Sequence, residues 1–298
     1  MSVVEKAIRK LQEQKQHPAV DPAVAGDASP AHEPLPAHSA DAALAGRQPP
    51  IVLERGVLRA AGLLPPEEDT ALLSRQYRKI KHPLVAQAIG RGVPRAPKGY
   101  LLMITSAMSG EGKSFTALNL ALSLAMEKDL HVLLVDADVA KPQLSHMLGL
   151  GDSQGLLDVL RDPHLDVESL IRTTDVPTLS FLPAGVGTED ATELLSSSRM
   201  SQIADLLGRH DSRRIVIFDS PPLLQTTESP ALTHVVGQIV VVVRADSTPQ
   251  PVLLDALKTL QEHPSVSLVL NQSTRSVTSA YYYYGYDYGS ERPNRDSA

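Results

Sequence analysis

Residues 101–125 read LLMITSAMSGEGKSFTALNLALSLA: an apolar run, a glycine-bearing loop and a helical stripe placed end to end. No other stretch of the chain limits its fold as much. "LLMITSA" predicts a buried strand. "KSFTALNLALSLAMEK" predicts a helix with Leu118, Leu122 and Ala125 on one stripe. A glycine loop that leaves a strand and opens a helix is the setting in which backbone N–H groups cradle phosphate. Gly112-Lys113-Ser114 supplies the expected ending, while the usual first glycine of the pattern is replaced by Ala107. Gly110 and Gly112 let backbone approach phosphate oxygens with no side chain between. Lys113 is placed to reach the β- and γ-phosphates, and Ser114 to ligate Mg²⁺.

Further apolar runs follow: "HVLLVDAD", "LSFLPAG", "RRIVIFDS", "QIVVVVRA" and "VSLVLNQ". Helical segments such as "ELLSSSRMSQIADLLGRH" and "TPQPVLLDALKTLQEH" lie between them. Apolar strands alternating with helices predict an α/β fold with a mostly parallel sheet covered on both faces. This unit runs from about residue 51 to 275. Before it, residues 1–16 form a short amphipathic helix pattern, with Val4, Ala7, Ile8 and Leu11 on one face. Residues 17–50 are rich in Pro, Ala, His and Asp and predict a disordered linker. His17, His32 and His38 are spaced too irregularly for a metal site. Beyond residue 276 the apolar pattern stops.

Composition excludes several classes. The 298-residue chain has a net charge of −6, which argues against a broad nucleic-acid surface. It has no cysteine, so disulfides and thiolate metal sites are ruled out. "VVGQIVVVV" is too short and interrupted to span a bilayer, and no signal-peptide core opens the chain. The reading is a cytoplasmic protein.

Two strands end in acids: Asp136 and Asp138 in "VLLVDAD", and Asp219 in "IVIFDSPP". In open α/β sheets, ligands sit at the carboxyl ends of strands. Three carboxylates would thus converge with Lys113 and Ser114, and oxygen ligands of this kind suit Mg²⁺ beside nucleotide phosphates.

With "SAMSGEGKS", "VLLVDADVAKPQ", "FDSPPLL" and a terminal tyrosine cluster in hand, the chain resembles the bacterial tyrosine kinases. These are P-loop proteins related to the MinD and ParA ATPases. The likeness is nearest to the soluble, exosortase-associated autokinases of exopolysaccharide loci. It covers most of residues 51–290. The resemblance implies a three-layer P-loop fold and an ATP cradle of Ser109, Gly110, Glu111, Gly112, Lys113, Ser114, Phe115 and Asn271. It also implies Mg²⁺ held near Ser114, Asp136 and Asp219. Lys113, Asp136 and Asp138 are the catalytic candidates, with either aspartate as proton acceptor. Departures are present: Ser109 replaces a proline, and the early lysine of MinD-type loops is Met108. The ring-building E-x-x-R-x-x-R helix reads Arg75, Arg78 and Lys81 here, without its acid.

The tail, residues 276–298, carries Tyr281, Tyr282, Tyr283, Tyr284, Tyr286 and Tyr288, in a protein of eight tyrosines and no tryptophan. Resemblance implies that these are the autophosphorylation substrate, presented within a homo-oligomer. It further implies activation by a membrane partner of the polysaccharide chain-length regulator type and peripheral placement at the inner membrane. The rival reading is a nucleotide-switch ATPase that uses the same loop and acids without transferring phosphate to tyrosine. A stacking platform for single-stranded nucleic acid would need a basic track, which the tail lacks.

Overall fold

The computed structural model describes residues 49–273. The amino-terminal helix, most of the linker and the tyrosine tail expected from sequence lie outside them. The described chain forms one seven-stranded sheet in the order β3-β4-β2-β5-β1-β6-β7. Its strands are β1 (Leu101–Ser106), β2 (His131–Asp136), β3 (Arg172–Thr173), β4 (Leu179–Leu182), β5 (Arg214–Asp219), β6 (Gln238–Arg244) and β7 (Val266–Asn271). Every pairing is parallel except the short β3–β4 edge. All five apolar runs after the first predicted helix, and the run before it, therefore fall on strands as expected. β3 is only two residues long and has no sequence pattern of its own.

Side chains alternate across the pleat, and the strands divide them between two cores. Leu101 and Met103 of β1 face one core, while Leu102 and Ile104 face the other. The first core is closed by α8 (Ser198–Arg209), through Met200, Ile203 and Leu207, and by α10 (Gln250–Lys258), through Leu253 and Leu257. The second is closed by α2 (Thr70–Ile89), through Tyr77, Leu84 and Val85, and by α3 (Lys113–Ala125), through Leu118, Leu120 and Leu124. The short helix α1 (Arg55–Ala60) adds Leu58 to that side. The result is the expected three-layer arrangement of helices on both faces of a buried, mostly parallel sheet.

One predicted helix divides. "ELLSSSRMSQIADLLGRH" forms α7 (Ala191–Ser196) and α8, separated at Ser197. Ser197 is extended, and its side chain accepts from the Met200 N–H at 3.4 Å. A serine oxygen that satisfies a helix-opening amide competes with helix continuation, which is why the chain breaks here. Among the described residues no helix is long and apolar enough to cross a membrane.

Candidate functional site

β1 delivers the loop, and α3 begins at Lys113 immediately after it. Gly110 and Gly112 both take left-handed backbone angles, φ 82° and 96°. Those values carry no penalty only without a Cβ. Gly112 is needed for space as well, because a Cβ there would collide with the side-chain amide of Asn271. The loop is held by its neighbours. The Met108 N–H donates to Glu111 Oε2 at 2.7 Å, and the Ser109 N–H to Gln225 Oε1 at 2.9 Å. The Thr248 hydroxyl donates to the other Glu111 oxygen. Asn271 Nδ2 donates to the Glu111 carbonyl at 3.0 Å. Phe115 is half-buried in the first turn of α3.

The three acids meet at the carboxyl edge of the sheet. Asp136 and Asp219 are register partners across the parallel β2–β5 pair, so their side chains leave on the same face. Asp138 follows two residues after Asp136, with its Oδ2 3.7 Å from Lys113 Nζ. Asp136 is fully buried. Its Oδ2 accepts the Ser145 N–H and hydroxyl, each at 2.8 Å. Its other oxygen has no partner, and neither does Asp219 Oδ1.

The electrostatics follow from this crowding. Burial, and then the charge of Asp136, pushes the Asp219 carboxyl up to about 8, against the pull of Ser114 and Lys113. Burial pushes Asp136 up to about 7, with the Asp138 charge adding to it and Ser145 opposing. Asp138 is also raised by burial, although Lys113 works against the rise. One buried ammonium, with the exposed Lys141 acting on Asp138 from outside, thus faces three buried carboxyls, two of which carry an orphaned oxygen. Such a site is short of positive charge. Hard oxygen donors and unpaired carboxylate oxygens fit a small divalent cation such as Mg²⁺. Among the described residues no cluster of three or more His, Asp or Glu makes a metal cage by itself.

The structure brings together Ser109, Gly110, Glu111, Gly112, Lys113, Ser114, Asp136, Asp138, Asp219 and Asn271. It separates Asp136 from Asp138, which the sequence could not do: Asp136 is locked by Ser145, while Asp138 stands beside the lysine. Ser145, Gln225 and Thr248 were not read from sequence. Ser145 is brought to the site by a short helix after β2, and Gln225 and Thr248 by loops after β5 and β6; no motif marks them. The ring-helix positions also divide: Arg75 and Arg78 are exposed, but Lys81 is buried and bonded within its own chain. Lys81 is not free to meet a neighbouring subunit.

A glycine loop between β1 and α3, with acids at the ends of the two adjacent parallel strands, defines a P-loop nucleotide-binding protein. Residues 101–274 match the AAA domain family. The chain is 32% identical over 234 residues to tyrosine-protein kinase YwqD of Bacillus subtilis, covering 78% of this chain and 94% of that protein. It is 29% identical to putative tyrosine-protein kinase CapB of Staphylococcus aureus, covering 61% of this chain and 79% of that one. Some relatives are far longer. The chain spans 28% of putative tyrosine-protein kinase EpsB of Ralstonia solanacearum, at 30% identity over 66% of its own length. Among solved structures, the VpsO kinase domain superposes with a TM-score of 0.57 at 28% identity, covering 70% of this chain and all of that one. The BceF tyrosine kinase domain gives 0.58 at 25% identity, covering 72% and 86%. The chain belongs to the bacterial tyrosine-protein kinase family.

Proposed function

We propose that the chain is an ATP-dependent tyrosine autokinase whose substrate is its own segment Tyr281–Tyr288. The observation that carries this reading is the charge imbalance at the loop: one buried lysine, loosely held, among three buried carboxyls. Lys113 neutralises charge on the phosphoryl group as it leaves ATP, which is where most catalysis of this transfer lies. Loop amides from residue 109 onward orient the phosphates, and Gln225 must yield the Ser109 N–H for that to happen. Ser114, Asp136 and Asp219 would hold Mg²⁺, which supplies further neutralisation of phosphate charge when bound. A tyrosine hydroxyl, with a pKa near about 10, needs a proton acceptor as it attacks phosphorus. Asp138 suits that role better than Asp136, because Asp136 already accepts two hydrogen bonds from Ser145. Asn271 would stand at the nucleotide edge of the loop.

In the cell, we place this activity in the control of exopolysaccharide synthesis or export, on the basis of the sequence resemblance. A homo-oligomer would present one tail to another copy's site. A membrane protein of the chain-length regulator type would activate it and hold it at the inner membrane, with residues 1–16 or the 17–50 segment as the docking element. Each phosphate adds roughly −1.5 to −2 charge, so a fully phosphorylated tail would repel the acidic site and loosen the assembly.

The decisive variant replaces all six tail tyrosines by phenylalanine. The kinase reading expects ATP-dependent phosphate incorporation to disappear while nucleotide binding persists. ATP hydrolysis by the unaltered chain with no phosphate on any tyrosine, tested with and without the partner's cytoplasmic segment, would instead establish the switch ATPase.

A further inference from the structure

We propose that a second site, on the outer surface of α3, docks phosphorylated tyrosine, and that its occupant is the Tyr281–Tyr288 segment after phosphate transfer. The identity of the occupant rests on the autokinase reading. The site itself rests on its own residues.

A cavity of about 280 Å³ opens between α1, α2 and α3. Arg55 and Arg59 line it from α1, and Arg78 lines it from α2. Leu64, Leu122 and Met126 supply apolar wall. Its part of α3 begins at Asn119, about two turns beyond Lys113, and no residue of the phosphate loop reaches it. It is therefore separate from the transfer site.

The lining is matched to a ligand that is both anionic and aromatic. Arg55 and Arg59 lie four apart on one helix and so share a face. Guanidinium forks match phosphate oxygens in pairs. Leu64, Leu122 and the adaptable thioether of Met126 offer a surface for a flat ring. Inorganic phosphate would use only the guanidiniums, and unmodified tyrosine only the wall. Tyrosyl phosphate uses both, and the cavity is sized for one such side chain rather than for a nucleotide.

Arg55 Nη1 donates to the Leu53 carbonyl at 2.9 Å and Arg59 Nε to the Pro65 carbonyl at 3.2 Å, which fixes both arginines at the cavity and leaves their other donors to exposed acids. Arg59 pairs with Glu67 at 3.1 Å, and Arg55 with Asp175 at 3.4 Å, but the acid side chains are 81% and 36% exposed. Ion pairs this open to water are weak and yield to a dianion. Arg78 is exposed and makes no ion pair among the described residues. The described chain stops at Ser273, just past β7, and Tyr281 lies eight positions on. Fully extended, that span reaches about 26 Å, and Tyr288 reaches about 50 Å. A tether of this length can serve the same copy or an adjoining one. Once docked, a phosphorylated tyrosine is kept away from Lys113, and the transfer site is open to the next tyrosine of the cluster.

The test uses a fluorescent peptide, SAYYYYGYDYGS, made with and without one phosphotyrosine, titrated against the full-length Lys113→Met chain. We expect the phosphorylated peptide to bind at least about tenfold more tightly than the plain one. Arg59→Ala and Arg78→Ala should each weaken it by about tenfold, with Arg78→Lys restoring only part because the fork is lost. Phenyl phosphate should compete, and inorganic phosphate at the same concentration should not. Equal affinity for the two peptides, no binding of the phosphopeptide, or binding indifferent to both arginines would overturn the site. Mass analysis of the unaltered chain after incubation with ATP reads the autokinase separately. A bare tail there would remove the proposed occupant, while the peptide titration would still decide whether the cavity takes tyrosyl phosphate.

Discussion

Lys81 and Lys113 are equally buried, each 8% exposed, yet their surroundings are opposite. The Lys81 ammonium donates to the Ser123 carbonyl at 2.7 Å and pairs with Glu127 at 2.7 Å. It joins α2 to the end of α3, and its charge is answered within the fold. The Lys113 ammonium stands 3.7 Å from Asp138, beside two further carboxyls that keep unpaired oxygens. Burying a charge without close partners is costly, so a fold retains such an arrangement where a ligand completes it. Burial alone does not separate a structural lysine from a working one. The completeness of its partnerships does.

Four substitutions press on that contrast. Lys113→Met should have the largest effect, cutting phosphate incorporation by about 10³–10⁵-fold, the value of a charge-neutralising cation in phosphoryl transfer. Its melting temperature should fall only slightly, because the neighbouring carboxyls, already raised by burial, take up protons once the ammonium is gone. Asp138→Asn should cost about 10²–10⁴-fold in the same assay by removing the proton acceptor. Because burial already raises the Asp138 pKa, the folded chain should melt no lower at neutral pH, read by thermal denaturation. Lys81→Met should reverse the pattern: a loss of about 1–3 kcal/mol in denaturant titration, from the Ser123 carbonyl and Glu127 left without their donor, and near-normal transfer while the chain is folded.

The smallest effect concerns pH. The hydrogen bond from Lys81 holds the Glu127 carboxyl below the ordinary glutamate range, ahead of the opposing effect of burial. A depressed pKa contributes stability above the unfolded value and loses it as pH falls through the folded one. Glu127→Gln should therefore melt slightly lower than the unaltered chain at neutral pH. The two curves should begin to converge as pH falls below the unfolded value of about 4.3, and meet once it has passed the lower folded pKa. Melting the two proteins across that range checks both the sign and the window.

Much of the fold was legible in sequence because parallel strands buried on both faces write continuous apolar runs, as in "QIVVVVRA" and "RRIVIFDS". The break at Ser197 was not, since "ELLSSSRMSQIADLLGRH" keeps helical apolar spacing across a capping serine. The loop and its acids were legible because each sits at a fixed step from a strand end. Their partners were not. Ser145 reaches Asp136 from α4 (Gln143–Met147), and Gln225 reaches Ser109 across 116 positions. Thr248 reaches Glu111 across 137. Contacts that depend on how loops return to one sheet edge leave no local pattern. Lys81 taught the reverse lesson: it stands at a position of the ring-building pattern whose acid is absent here, and packing against α3 turns it inward.

The most direct measurement is intact-mass spectrometry of three proteins, the unaltered chain, Lys81→Met and Lys113→Met, incubated with ATP and Mg²⁺ at a temperature where all three are folded. The account predicts the same ladder of phosphate additions, mapping to Tyr281–Tyr288, on the first two and none on the third. A ladder on Lys113→Met, or its loss from folded Lys81→Met, would contradict it.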